Sequence, residues 1–270
     1  MIDYSIIIDC PDEYLDILNI FFIFCEKNWP NRKNTIFVTS QNEEIPAPNN
    51  VIFVKCGLGK NSIQRTKEAL KIINSKHVLI IDCDDFIGKT INDESINNML
   101  EFASKNDIKY IQIWNLGNKE QKKYKTGFDG LYYCNKKARY SRSLMANFWL
   151  KEEFLNVFSS DSDDGWTVEG KWLRQVQEEK EGYYDSYCYC DTDPLHIVHA
   201  VSKGRWIRKA YRFMRKNKID KNLLSKRKKL SLKLSIKHSI GMFFFRHVSS
   251  KTFMKFKGAS KKVIKTTTEY

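Results

Sequence analysis

The apolar run Ile80-Ile81 ends in Asp82-Cys83-Asp84-Asp85. An Asp-x-Asp pair at the end of a buried strand stands at a sheet edge, where a hard divalent cation can bridge both carboxylates to a pyrophosphate. A departing nucleoside diphosphate needs its charge neutralised. Asp82 and Asp84 are therefore candidate ligands for Mn²⁺ or Mg²⁺, with Asp85 beside the donor. An acidic turn capping the next helix would use the same residue types.

Trp166 and Glu169 lie at i, i+3, on one face of a helical turn. A ring offers a sugar face a stacking surface, and a carboxylate can take the proton of an acceptor hydroxyl. Glu169 is the candidate base, with Asp163 and Asp164 as rivals. The same residues also fit a helix start capped by Asp163 or Asp164, with Trp166 in the core.

Downstream, His196 and His199 are again at i, i+3. His199 is a candidate third metal ligand, and His196 reads as a packed or surface residue. Cys188 and Cys190 nearby lack the usual zinc spacing. Gly57-Leu58-Gly59-Lys60-Asn61-Ser62 opens a helical pattern containing Arg65. Backbone N–H groups there, with Lys60 and Arg65, could face a phosphate. The Lys-Ser/Thr ending of a Walker loop is missing, and a plain helix-start turn fits equally well.

Elements that would position these residues follow from periodicity. Ser5–Ile8, Thr35–Thr39, Val51–Val54, His77–Ile81 and Lys109–Ile113 read as strands. Tyr14–Lys27, Ser62–Asn74 and Ile96–Ser104 carry apolar residues at helical spacing. Such alternation predicts an α/β fold with a mostly parallel sheet flanked by helices. Ligands then bind at the carboxyl ends of the strands, which places Asp9 and Asp12 on the donor side with Asp82–Asp85. Residues 115 to 200, rich in Gly, Tyr, Asp and Trp, read as an acceptor side.

The chain has 270 residues and a formal net charge of +14. From Lys203 to Lys265 there are 22 Lys or Arg against Asp220 alone, so the remainder is net acidic. An acidic body with a basic tail faces two kinds of partner. In the tail, Trp206, Ile207, Ala210, Tyr211 and Met214 share one helical side, with Arg208, Lys209 and Arg212 flanking them. That pattern fits a helix lying in the headgroup layer of an anionic membrane, and a basic helix packed on the acidic body is the alternative. Seven scattered cysteines, no basic n-region before an apolar run and no stretch of eighteen apolar residues suggest a cytoplasmic protein, peripheral at the inner face of the membrane.

The opening Ser5-Ile6-Ile7-Ile8-Asp9-Cys10-Pro11-Asp12-Glu13-Tyr14, then Phe21-Phe22 and Asn28-Trp29-Pro30, resembles bacterial glycosyltransferases of capsular and surface-polysaccharide clusters. Asp84-Asp85-Phe86, Ser143-Leu144-Met145-Ala146-Asn147-Phe148-Trp149 and Trp166-Thr167-Val168-Glu169 continue the likeness in order, over about residues 3 to 206. Met145-Ala146 is a departure, since relatives more often place Gln there. The resemblance implies a GT-A fold, a nucleotide-sugar donor (taken as a UDP-sugar), divalent-metal dependence, and a lipid-linked or oligosaccharide acceptor. It also implies acceptor contacts at Trp149 and Trp166.

The expected layout is a GT-A-like catalytic domain over 1–202, with donor side 1–114 and acceptor side 115–202. A basic, helical, membrane-associating segment then occupies 203–270. A sugar nucleotidyltransferase shares such a sheet and its carboxylates, but usually carries a Gly-rich, Lys/Arg-bearing loop after the first strand, where Asp9-Cys10-Pro11-Asp12 stands. A nucleic-acid-binding protein explains the tail alone, and an acidic body repels a phosphate backbone, so no nucleic acid is expected.

Overall fold

A computed structural model of the chain describes residues 2–113, 121, 124–160 and 162–247, without the side chains of 166, 177 and 244–247. Four parallel strands begin the sheet: β1 (Tyr4–Asp9), β2 (Ile36–Ser40), β3 (Val51–Lys55) and β4 (His77–Asp82). A short β5 (Asp85–Ile87) follows β4. Then come β6 (Tyr110–Gln112), β7 (Tyr124–Lys125), β8 (Leu131–Asn135), β9 (Asn147–Leu150) and β10 (Tyr183–Cys190). The nine-stranded order is β3-β2-β1-β4-β9-β6-β10-β8-β7. The result is mixed α/β, with a large, mostly parallel central sheet between helices, as the alternation predicts.

Strand β1 explains the two-sided burial. Ile6 and Ile8 enter one core and Ile7 the other, because successive side chains point to opposite faces. Helix α1 (Leu15–Asn28) fills the first face, burying Leu18, Phe21, Phe22 and Phe24. Helix α2 (Ser62–Ile72) covers the second with Ile63, Ala69 and Leu70. Its start is fixed by a reciprocal cap, Asn61 Oδ1 accepting the Gln64 N–H while Gln64 Oε1 accepts that of Asn61. Helices α3 (Asp93–Lys105), α4 (Lys151–Val157) and α5 (Gly165–Glu178) complete the flanks.

The sheet takes strands from both sides of residue 114: β9 lies between β4 and β6 and pairs antiparallel with both. Packing on the body also continues past residue 202. After β11 (Ile197–His199), β12 (Val201–Ser202) and β13 (Arg205–Trp206), helices α6 (Arg208–Lys216) and α7 (Lys221–Ser225) pack on the body. Trp206, Ala210, Met214 and Leu224 belong to the same core as α1. Phe213 stacks on Phe24 with ring centroids 4.9 Å apart, and Phe24 stacks on Phe86 at 5.4 Å. The side of α6 read as facing lipid faces protein: its apolar residues find a larger apolar partner in α1. Only α8 (Leu232–His247) presents large apolar residues to solvent within the described tail.

Candidate active site

The acidic cluster is built by a small antiparallel pair. β11 lies on β5 in the register His199↔Asp85, Val198↔Phe86, Ile197↔Ile87. Gly88 makes the approach possible: a Cβ there would stand 2.4 Å from the His196 carbonyl oxygen and 2.8 Å from Val198 Cγ2, while Gly88 N–H donates to that carbonyl at 2.9 Å. The carboxylate of Asp193 holds the turn before β11 by accepting the N–H of Leu195 and of Ile197.

His199 Nδ1 consequently lies 2.8 Å from Asp85 Oδ1 and 3.7 Å from Asp84 Oδ2. One ligand atom from each of Asp84, Asp85 and His199 falls within 4.8 Å of the others, the one such group among the described residues. Burial works against the charged imidazole, but the hydrogen bond and charge of Asp85, with Asp84 and Asp82, hold His199 up at about 9. Burial raises Asp84 to about 6, against the pull of His199. Asp82 is pushed well up by burial and by Asp85, Asp84 and Asp9. The other oxygen of Asp85, Oδ2, is buried with no hydrogen-bond partner. A crowd of carboxylates with a buried oxygen left over fits a divalent cation held by Asp84, Asp85 and His199. Asp85 stands in this group, and Asp82 lies in the wall of the adjoining cavity.

That cavity, of about 450 Å³, opens at the carboxyl ends of β1 and β4 and includes Asp9, Arg65, Asp82, Met145 and Glu169. A second, of about 510 Å³, lies under α8 and includes Met145, Glu169, His199, His238 and Met242. Glu169 and Met145 stand in the walls of both. The carboxylate of Glu169 is fixed by accepting the Leu144 N–H at 2.9 Å. Burial raises its pKa, and the hydrogen bonds from Leu144 and Ser143 oppose that rise.

Several expected contacts are occupied otherwise. Arg65 Nε and Nη2 donate to both oxygens of Asp9, so Asp9 positions Arg65 in the cavity wall. Asp12 accepts the backbone N–H groups of Gln41 and Asn42 and pins that loop. Lys60 pairs with Glu68 at 2.6 Å along α2. Trp149 is 1% exposed and packs among Tyr110, Phe154 and Phe158, and it also stands in the lining of the strand-end cavity. Asp164 caps α5 by accepting the Thr167 N–H, and Asp163 accepts that of Ser160. Neither rival of Glu169 stands between the cavities. Trp166 lies in the first turn of α5, and its side chain is outside the described residues.

In the tail, Trp206 is fully buried and its Nε1 donates to the Leu224 carbonyl, which removes it from any lipid-facing surface. Arg208 Nε donates to the Leu230 carbonyl, Lys209 joins the lining of the second cavity, and Arg212 is exposed. All seven cysteines are free and buried. The sequence reading missed His238 and Met242: a basic tail gave no signal that its inner face returns to the site.

No protein-family profile matches the chain, and no curated protein matches it in sequence. Solved structures share the outline of the fold. One is the galactosyltransferase LgtC in complex with donor and acceptor sugar analogues, at 14% identity over 84% of each chain with a TM-score of 0.37. TarS of S. aureus matches at 13% identity over 79% of this chain and 38% of that one, TM-score 0.44. A 2-C-methyl-D-erythritol 4-phosphate cytidylyltransferase of Thermus thermophilus matches at 10% identity over 81% of this chain and all of that one, TM-score 0.43. At these identities and TM-scores the likeness assigns no activity to this chain.

Proposed function

We propose that the chain is a divalent-metal-dependent glycosyltransferase, moving a sugar from a nucleotide-sugar donor, a UDP-sugar in the first instance, to a lipid-linked or oligosaccharide acceptor of a surface polysaccharide. One observation carries the reading: two cavities meet at Glu169, with Asp82 in the wall of the first and His199 of the Asp84–Asp85–His199 cluster in the wall of the second. The donor occupies the cavity at the strand ends, where the Arg65–Asp9 pair stands in the wall. The acceptor occupies the cavity under α8.

Asp84, Asp85 and His199 would hold a divalent cation, whose charge would offset that of the departing diphosphate. Glu169 takes the proton of the acceptor hydroxyl while that oxygen attacks the anomeric carbon. The bond from that carbon to the diphosphate oxygen breaks, and the nucleoside diphosphate leaves with the electron pair. A base on the acceptor side corresponds to an inverting transfer. A fixed carboxylate with a raised pKa suits the role, because a base must be held where the proton is lost.

The sugar nucleotidyltransferase reading gains nothing from the loop after β1. Asp12 is spent on that loop's own backbone, and no Lys or Arg from it lines the cavity. Attachment to an anionic membrane surface belongs to the proposal. No helix among the described residues is long and apolar enough to cross a membrane.

A hydrolysis screen over nucleotide sugars, with and without Mn²⁺, tests the reading. Metal-stimulated release of a nucleoside diphosphate is expected. Release of pyrophosphate from a nucleoside triphosphate with a sugar phosphate, and no nucleotide-sugar turnover, would replace it with the nucleotidyltransferase.

A further inference from the structure

Strand β9 sets two polar groups on one face of the sheet. Asn147 and Trp149 are two residues apart, and Phe148 between them enters the core on the other face. Asn147 stands opposite Ile80 of β4 and Trp149 opposite Val78, which puts Asn147 nearer the strand ends and Trp149 one step deeper. Both line the strand-end cavity, and each is 1% exposed.

Each carries one polar atom that the protein leaves unsatisfied. Asn147 Nδ2 donates to the Ser143 carbonyl at 3.1 Å and to the Met145 carbonyl. Carbonyls only accept, which fixes the orientation of the amide and leaves Oδ1 as its remaining atom. Asn147 Oδ1 and Trp149 Nε1 are both buried without a hydrogen-bond partner. Buried polar groups are nearly always paired. An acceptor and a donor left over on residues about 7 Å apart along one strand, in the wall of one cavity, point to a ligand that brings a partner for each.

Charge narrows that ligand. Arg65 is neutralised by Asp9, and the other charged residues in this lining are Glu13, Asp82, Asp164 and Glu169. Their field opposes an anionic group, and a carboxylate has no proton to give to Asn147 Oδ1. An uncharged, hydroxylated ring supplies both partners. The position identifies which ring. Ser143 and Met145, which hold the Asn147 amide, flank Leu144, whose N–H holds the Glu169 carboxylate. In the glycosyltransferase reading the acceptor hydroxyl meets the anomeric carbon at Glu169, and the ring beside this loop is the transferred sugar.

Resting on that reading, we infer that Asn147 and Trp149 form the subsite that selects the transferred sugar, a neutral sugar with one hydroxyl donating to Asn147 Oδ1 and another accepting from Trp149 Nε1. Trp149 then meets the donor through the edge of its indole. A sugar lacking either hydroxyl would leave the corresponding atom unpaired in a filled site, and a site built on such bonds discriminates sharply against the missing group.

Full-length protein with Mn²⁺ is titrated by calorimetry. The probes are UDP, UDP-glucose, UDP-galactose, UDP-N-acetylglucosamine, GDP-mannose and UDP-glucuronic acid, then analogues of the tightest-binding sugar lacking one hydroxyl at a time. Wild type is expected to bind a neutral nucleotide sugar more tightly than UDP-glucuronic acid, and to lose about tenfold in affinity when either selected hydroxyl is missing. In Asn147→Ala, the parent and the analogue lacking the first hydroxyl should bind alike. A purely structural role would weaken both equally and keep their ratio. Trp149→Phe should erase the second ratio in the same way, which keeps the test decisive if Asn147→Ala folds poorly, and the wild-type ratios need no variant. Wild type indifferent to the loss of every hydroxyl, ratios unchanged in both variants, or tightest binding of UDP-glucuronic acid overturns the subsite. Metal-stimulated turnover of a nucleotide sugar alongside any of these leaves the transferase reading in place. Neither binding nor turnover of any nucleotide sugar removes that reading, and this subsite with it.

Discussion

Arg65 grips both oxygens of Asp9, Nε on one and Nη2 on the other, each at 2.7 Å and with both residues buried. The pair ties the first turns of α2 to the end of β1, in the wall of the cavity at the strand ends. Two charges removed from water are tolerated because each satisfies the other bidentately.

Arg65→Met should therefore destabilise the fold by about 3–5 kcal/mol, since Asp9 would be left buried and uncompensated. The double variant Arg65→Met, Asp9→Asn should recover part of the loss. Urea unfolding of the three proteins checks this; a single variant as stable as wild type would mean that water reaches Asp9 freely.

Metal binding should be visible without any substrate. At a hundredfold excess over its dissociation constant, Mn²⁺ should stabilise the wild type by about 2.7 kcal/mol, reversed by a chelator. His199→Ala and Asp85→Asn should each remove the effect, because they delete ligands of the one Asp-Asp-His group among the described residues. Thermal unfolding with and without Mn²⁺ is the measurement, and a persisting shift in both variants would place the ion elsewhere.

Glu169 links activity to pH. Burial raises its pKa, and only the carboxylate can accept a proton. The rate kcat/KM should fall as pH drops through that raised value. Glu169→Gln should lower kcat by roughly 10²–10⁴ with little change in donor KM. Stability runs the opposite way: the folded state holds this proton more tightly than the unfolded one, so stability from this group declines as pH rises between the unfolded and the folded pKa. Glu169→Gln should consequently be slightly more stable than wild type at neutral pH. Reduced stability there, with the rate unaffected, would make Glu169 a structural hydrogen-bond acceptor.

Trp206→Ala should cost about 3–5 kcal/mol as a core truncation, with the Leu224 carbonyl left without its indole donor. Ending the chain after Ser202 should give unfolded or insoluble protein, because Trp206, Ala210 and Met214 are part of the core around α1. Circular dichroism of the shortened chain decides this. A cooperative melt like that of the full chain would restore the separable tail.

Much of the fold was legible because β1 to β4 are apolar runs rich in β-branched residues and α1 to α3 have clear helical spacing. β9 was not: Asn147-Phe148-Trp149-Leu150 is only four residues long, and nothing in its pattern states which strands flank it. Asp84 was readable as a candidate because it follows a strand end, and His199 only from its spacing with His196; that Asp85 joins them in one group depends on the β5–β11 pairing, a contact between distant segments. Trp206 misled for a physical reason. A helix with a basic side and an apolar side reads the same whether its apolar side meets lipid or protein, and only the packing of α6 against α1 settles which.

Placing β9 between β4 and β6 has a consequence for how the chain assembles. During synthesis the strands β1 to β4 emerge well before residue 147, and until β9 arrives the β4 edge has no partner on that side. An open edge of His77–Asp82, apolar over most of its length, is a template for pairing with another chain. Non-local pairing of this kind is also slow. Fragments ending near residue 114 should accordingly aggregate rather than fold.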